Sequence, residues 1–309
     1  MAAGRTGPER RSGSIYIAGV TDAGMSLNIG SALSEGLDRT LSRNGLVLFL
    51  LTTVIGLASV SLSQTQLREQ FETLQATNPE LLRQLQELPV AAGQFTPPYP
   101  LALPISGGAV LVLTLVVALL NEAVLLIAAR TFVSERTDGL FEPTRNLPLA
   151  VLNGFIGGVV VAVLVGVGTV FLIIPGIFLA VAFLFFREEV AVEDKNLIDA
   201  ITDSYALVKG DRFAVFALIL VLAVIGFVVN LLTGVVPGVA GTVVSVVVGA
   251  TLTVFSAAVV ARAYRQLVDA KRGPGAATTG ALSADELDQE DSFGGREFDV
   301  GDDDDPGAP

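Results

Sequence analysis

The chain has 309 residues, 51% of them hydrophobic and 16% charged, with a mean hydropathy of +0.65; a soluble domain carries about 25% charged residues, so an ordinary soluble fold is excluded. Cysteine and histidine are absent, which removes disulfides, thiolate and imidazole chemistry and most zinc sites, and the chain is expected not to be an enzyme and to need no cofactor. The formal charge of −12 sits mostly in residues 273–309, where 11 acidic residues meet one arginine.

Residues 1–24 show no sustained period and read as a disordered or non-native N-terminal extension, with Met25 an alternative start. The segment IYIAGV is too short for a signal-peptide core. In the stretch that follows, Ile29, Leu33, Leu37 and Leu41 fall four apart. They predict a short amphipathic helix, lying on the membrane surface or packed on the protein's own loops.

A membrane domain is expected over residues 25–272, because four long runs carry no charge: 45–67, 89–121, 146–186 and 213–261. Apolar runs of about 18 or more residues read as membrane-crossing helices. The first span is placed at 45–62. Two short amphipathic helices should follow, the second opened by Asn78 as cap and Pro79 in the first turn, and then a proline-rich return. The second span, 105–129, contains Glu122, the one ionisable residue well inside an expected span. Charge is disfavoured there, so Glu122 needs a partner or a proton. Arg130 is too far along the helix for easy pairing, so Asn153 or Asn230 on other helices is the expected bonding partner.

The uncharged run 146–186 would be ~60 Å long as one helix, at ~1.5 Å per residue, against a hydrocarbon core of ~30 Å. It must therefore cross twice. Proline interrupts a helix and glycine tolerates a turn, so Pro175–Gly176 is expected at the tip of a hairpin joining spans 149–169 and 173–190. Pro237–Gly238 should do the same between spans 213–233 and 239–262. Between the hairpins, Leu197, Ile198, Ile201, Tyr205 and Val208 predict an amphipathic connector ended by Gly210. The fold class is thus an all-α integral membrane protein with six transmembrane helices, the last four as two Pro-Gly-turned hairpins.

Cytosolic loops collect Lys and Arg. With the N-terminus inside, 16 such residues fall on the inner loops and two on the outer ones. Both termini are therefore expected in the cytoplasm, in the cell membrane, with residues 273–309 as an acidic disordered cytosolic tail. Arginine outnumbers lysine 16 to three. With the abundant Asp and Glu, this points to a halophilic source, a high-GC genome being the alternative.

Small residues recur every fourth position at Gly154, Gly158, Ala162 and Gly166, and again at Gly241, Ser245 and Gly249. Such stripes let helix backbones approach closely in lipid. They are read as helix packing, so that Leu at Gly158 or Gly249 would overpack. No phosphate loop or basic nucleic-acid patch occurs, and no nucleic-acid partner is expected.

The stretch LIIPGIF followed by FLFFREEVAVEDKNLIDAITDSYALVKG resembles the membrane domain associated with glycerophosphoryl diester phosphodiesterases and the YciC-like inner-membrane proteins. The shared pattern is the apolar-PGI turn, an acidic loop, and a connector carrying Ala200, Ser204, Lys209 and Gly210. The segment MSLNIGSALSEGLDRTLSRNG is similar to haloarchaeal multi-pass membrane proteins of unknown function. The resemblance covers about 25–272 and implies no catalysis, since in the phosphodiesterase relatives activity belongs to a separate soluble domain. The functional expectation is a structural or accessory protein binding the lipid bilayer, a membrane-protein partner or a second copy of itself. The alternative is a small transporter or channel subunit using Glu122.

Overall fold

The computed structural model describes residues 27–88, 97–136, 139–233 and 238–272, all of them helix, turn or loop with no strand. The expected N-terminal extension, the acidic tail and Pro237 lie outside the described residues. Ten helices are described: α1 Ile29–Leu41, α2 Arg43–Thr77, α3 Pro79–Glu87, α4 Gly107–Val133, α5 Leu147–Phe171, α6 Ile173–Ala182, α7 Phe186–Val192, α8 Leu197–Val208, α9 Arg212–Thr233 and α10 Gly238–Arg272. Five of them, α2, α4, α5, α9 and α10, are long and apolar enough to cross a membrane. They mark a membrane-embedded, multi-pass protein.

The helices α2, α4 and α10 pack against one another as the central bundle, α5 lies on α4, and α9 lies on α10. At 35 residues each, α2 and α10 are ~50 Å long at ~1.5 Å per residue, well beyond a hydrocarbon core of ~30 Å. Each therefore projects from one end of the bundle. The excess of α10 carries Arg262, Arg265, Lys271 and Arg272 at the arginine-rich end. The excess of α2, at the far end, is the first of the two expected amphipathic helices, fused without a break to the first span. Only the second, α3, is separate, and it is capped as its sequence predicts, with Asn78 accepting from the Leu81 amide at 3.1 Å. The fused extension also holds the proline-rich return. Gln64 and Thr65 accept from the amides of Leu101 and Leu103 at 2.8 Å each, and Glu69 accepts from Gly107 at 2.8 Å.

Helix α1 packs on the protein itself, against a helix and not against loops. Its small face, Ala32 and Gly36, packs on α10, where a Cβ on Gly36 would lie 2.4 Å from a Val259 methyl. Leu37 and Leu41 are left exposed, as are Leu46, Val47 and Leu50 of α2. The Ser31 hydroxyl donates to Glu35 at 2.7 Å, and Arg262 of α10 pairs with the same carboxylate. The hydroxyl first, and then Arg262, hold the Glu35 carboxyl below its ordinary value.

The expected fourth span, 173–190, is not one helix. It is α6 and α7, separated by a turn at 183–185, and neither piece is long enough to cross by itself. No proline or glycine marks the break. Buried Phe185 and Phe186 anchor it, and the Ser204 hydroxyl of α8 donates at 3.0 Å to the Ala182 carbonyl at the end of α6. That carbonyl would otherwise be left without a partner inside the protein. The hairpin turn also differs from expectation. It lies at Leu172, an extended residue between α5 and α6. Pro175 sits in the first turn of α6, where a missing amide costs little. Gly176 serves close approach: a Cβ there would lie 2.0 Å from the Thr169 hydroxyl of α5. At the second hairpin, Gly238 opens α10 with φ +70°.

Candidate functional site

Glu122 lies two residues past Leu120, the midpoint of α4, so ~3 Å along the axis from it. The side chain is buried. Its partner is neither Asn153, half-buried on α5, nor Asn230, exposed on α9. Both carboxylate oxygens are met by Arg187 of α7, Nε donating to Oε1 at 3.1 Å and Nη2 to Oε2 at 3.2 Å. The carboxylate also presses on α5, where a Cβ on Gly154 would lie 2.7 Å from Oε1. The missed signal was in the sequence. Arg187 stands at the head of Arg-Glu-Glu, but as the end of a straight span it reads as an interface stop. The break at 183–185 turns it inward.

The same turn buries the next two residues, Glu188 and Glu189, which are 5% and 4% exposed. Glu189 pairs with Lys195, which also meets Asp203 at 2.9 Å. Glu188 is different, because its Oε2 is buried and has no hydrogen-bond partner. Glu188 and Arg187 line a cleft of about 390 Å³ between α4, α7 and α10, with Thr253 and Ser256 on the α10 wall. Thr253 also lines a second cleft of about 720 Å³ toward the far end, with Thr52, Ser59, Asn121, Thr242 and Ser245.

Below the cleft, Arg130 ties the arginine-rich end together and is almost wholly buried. Its Nε donates to the Ala191 carbonyl at 2.6 Å, Nη1 to the Arg145 carbonyl at 2.6 Å, and Nη2 to Asp194 at 3.2 Å. Two of the residues it gathers, Glu142 and Asp194, hold left-handed backbone, at φ 39° and 52°. That conformation is costly for such residues and persists where surrounding bonds enforce it.

The small-residue stripes divide. Gly154 packs against Glu122, but a Cβ on Gly158, Gly166 or Gly249 would meet nothing within 4 Å, and Ala162 is exposed. The reason is geometric: positions four apart advance about 40° around a helix of 3.6 residues per turn, so a strict stripe rotates away from any straight neighbour. The face of α5 that packs is instead Ala150, Gly154 and Gly157, and a Cβ on Gly157 would lie 2.1 Å from the Phe186 ring. On α10, Gly241, Ser245 and Gly249 all line the larger cleft.

The chain belongs to the family described as "Domain of unknown function (DUF7847)". The match covers residues 27–267 and thus takes in the bundle up to the last turns of α10, with the cleft and the Arg130 network. Comparison with curated proteins and with solved structures returns no match.

Proposed function

We propose that this DUF7847 member is a non-catalytic small transporter or channel subunit that passes a solute along the two clefts whose linings share Thr253. The observation that carries this reading is Glu188, a buried carboxylate with an unpaired oxygen at the wall of a cleft, beside a broken helical segment. Ionisable groups at membrane depth are expensive and are kept where they serve a pathway. Non-helical backbone at that depth is tolerated where it lines a cavity or is covered by protein. The test is solute flux into vesicles containing the purified full chain. Flux above protein-free vesicles, lost in Glu188→Gln, is expected; a folded, inserted protein that passes nothing would overturn it.

A second reading, a structural or accessory protein that binds lipid, a membrane partner or a second copy, is favoured by the Glu122–Arg187 pair, which satisfies both charges without a ligand. In this view α6 and α7 together act as a sixth, interrupted crossing. The cell membrane is the proposed location. Both termini are placed in the cytoplasm on the strength of the 16-to-two division of Lys and Arg. Single cysteines at Ser34 and Gln84 test that orientation: an impermeant thiol reagent should label only position 84 in intact cells, and labelling at 34 alone would invert it. A halophilic source, and kinship with the phosphodiesterase-associated and YciC-like membrane domains, fit the arginine-rich composition and the Pro-Gly-Ile sequence of α6 with the Ser204 connector.

A further inference from the structure

Charge balance around the cleft defines what it can hold. Glu122 and Arg187 neutralise each other through two hydrogen bonds. Glu189 is matched by Lys195, and Asp194 by Arg130 and Arg145. That leaves Glu188, next to the already paired Arg187, as the cleft-wall acid whose Oε2 is buried and unbonded. A lone carboxylate in a low-dielectric interior is strongly disfavoured unless a proton or a cation joins it. The lining of the same cleft also carries the hydroxyl oxygens of Thr253 and Ser256. The Thr253 hydroxyl gives its proton to the Gly249 carbonyl at 2.9 Å, so it faces a ligand as an acceptor only.

We infer that Glu188, Thr253 and Ser256 form a binding site for a small monovalent metal cation; the inference rests on the proposed solute pathway and names its cargo. A single negative charge with neutral hydroxyl oxygens suits one positive charge. A divalent ion would bring an uncompensated charge into the bundle, and among the described residues no group of three or more acidic side chains gathers to hold one. Oxygen ligands and no sulfur or imidazole suit a hard cation. The way in is on the same helix. Thr242, Ser245, Gly249 and Thr253 line the larger cleft along one face of α10, and they lead to Ser256 and Glu188 in the smaller one.

The test is thermal melting of the purified full chain in detergent at fixed pH and constant ionic strength. Sodium or potassium chloride is titrated against N-methyl-D-glucamine chloride, whose cation is too large for the site. A saturable rise in melting temperature is expected with one of the small cations. Glu188→Gln should abolish the rise while melting in N-methyl-D-glucamine at or above the wild-type temperature, since it removes an unpaired charge. Ser256→Ala should shift the half-saturating concentration several-fold upward and decides the matter if the Gln variant does not fold. No saturable rise in the wild type, or an unchanged half-saturating concentration in the variants, overturns the site. Vesicle flux separates the two proposals. Saturable binding without flux leaves the site and removes the transport reading. Flux that does not depend on Glu188, with no saturable rise in melting temperature, removes the site and leaves transport.

Discussion

A carboxylate at mid-length of an apolar helix is tolerable when a guanidinium meets both its oxygens, and Glu122 and Arg187 satisfy that condition. Removing one partner of a buried pair leaves the other charge stranded, at a cost of about 3–5 kcal/mol. The Arg187 side chain is 38% exposed, which lowers the expectation to about 1–3 kcal/mol. Glu122→Leu and Arg187→Met should therefore each melt below the wild type in detergent, and the double variant above either single one. Strictly additive losses would mean that the two side chains do not depend on each other. The glycines give a second contrast. Gly157→Leu should destabilise strongly, by driving a side chain into Phe186 where a Cβ already lies 2.1 Å from the ring. Gly158→Leu, one residue on and facing open space, should fold nearly as the wild type does. The reverse order would put the packing face of α5 on the wrong side. The need of Glu122 for a partner was legible in the sequence. The partner was not, because Arg187 is 65 residues away and reaches the site only through a break that no proline or glycine announces.

Among the elements, α6 and α7 hold the main departure from the sequence pattern. The uncharged run of 41 residues does turn back on itself, at Leu172, but the returning leg breaks where Phe185 and Phe186 can be buried and Ser204 can take the freed Ala182 carbonyl. Hydropathy averages over such a break, since the residues on either side are equally apolar. Ser204→Ala should cost about 1–3 kcal/mol, the penalty for orphaning a buried acceptor, read as a lower melting temperature. A neutral effect would remove its capping role. Helix α1 offers a pH-dependent case. The Glu35 carboxyl is held below its ordinary 4.5 by Ser31 and Arg262. A depressed carboxyl contributes stability that is fully present above its unfolded value and is lost as pH falls through the folded one. Amide hydrogen exchange in α1 should thus rise as pH is lowered beneath 4.5, after correction for intrinsic rates, and less so in Glu35→Gln. Equal acid sensitivity in that variant would assign the docking of α1 to Gly36 and Val259 alone.

For the whole molecule, uncharged runs, their lengths and the distribution of arginine were enough to reveal a helical, multi-pass architecture. The repeating small residues on α10 were also visible, but their use was not. A small side chain permits either a close helix contact or an open groove, and only the placement of α2 and α4 decides between them. Here Gly249 faces open space and lines the cleft. The central claim is that this face of α10 borders a water-accessible path to Glu188. The absence of native cysteine makes the direct measurement clean: single cysteines along α10, probed with a charged, membrane-impermeant thiol reagent in vesicles. The account predicts modification at Ser245, Gly249 and Thr253, which line the cleft, and protection at Val243, Val244 and Val247, which are exposed on the outer surface of the bundle where lipid would cover them. Equal modification of both sets, or none at the cleft positions, would contradict it.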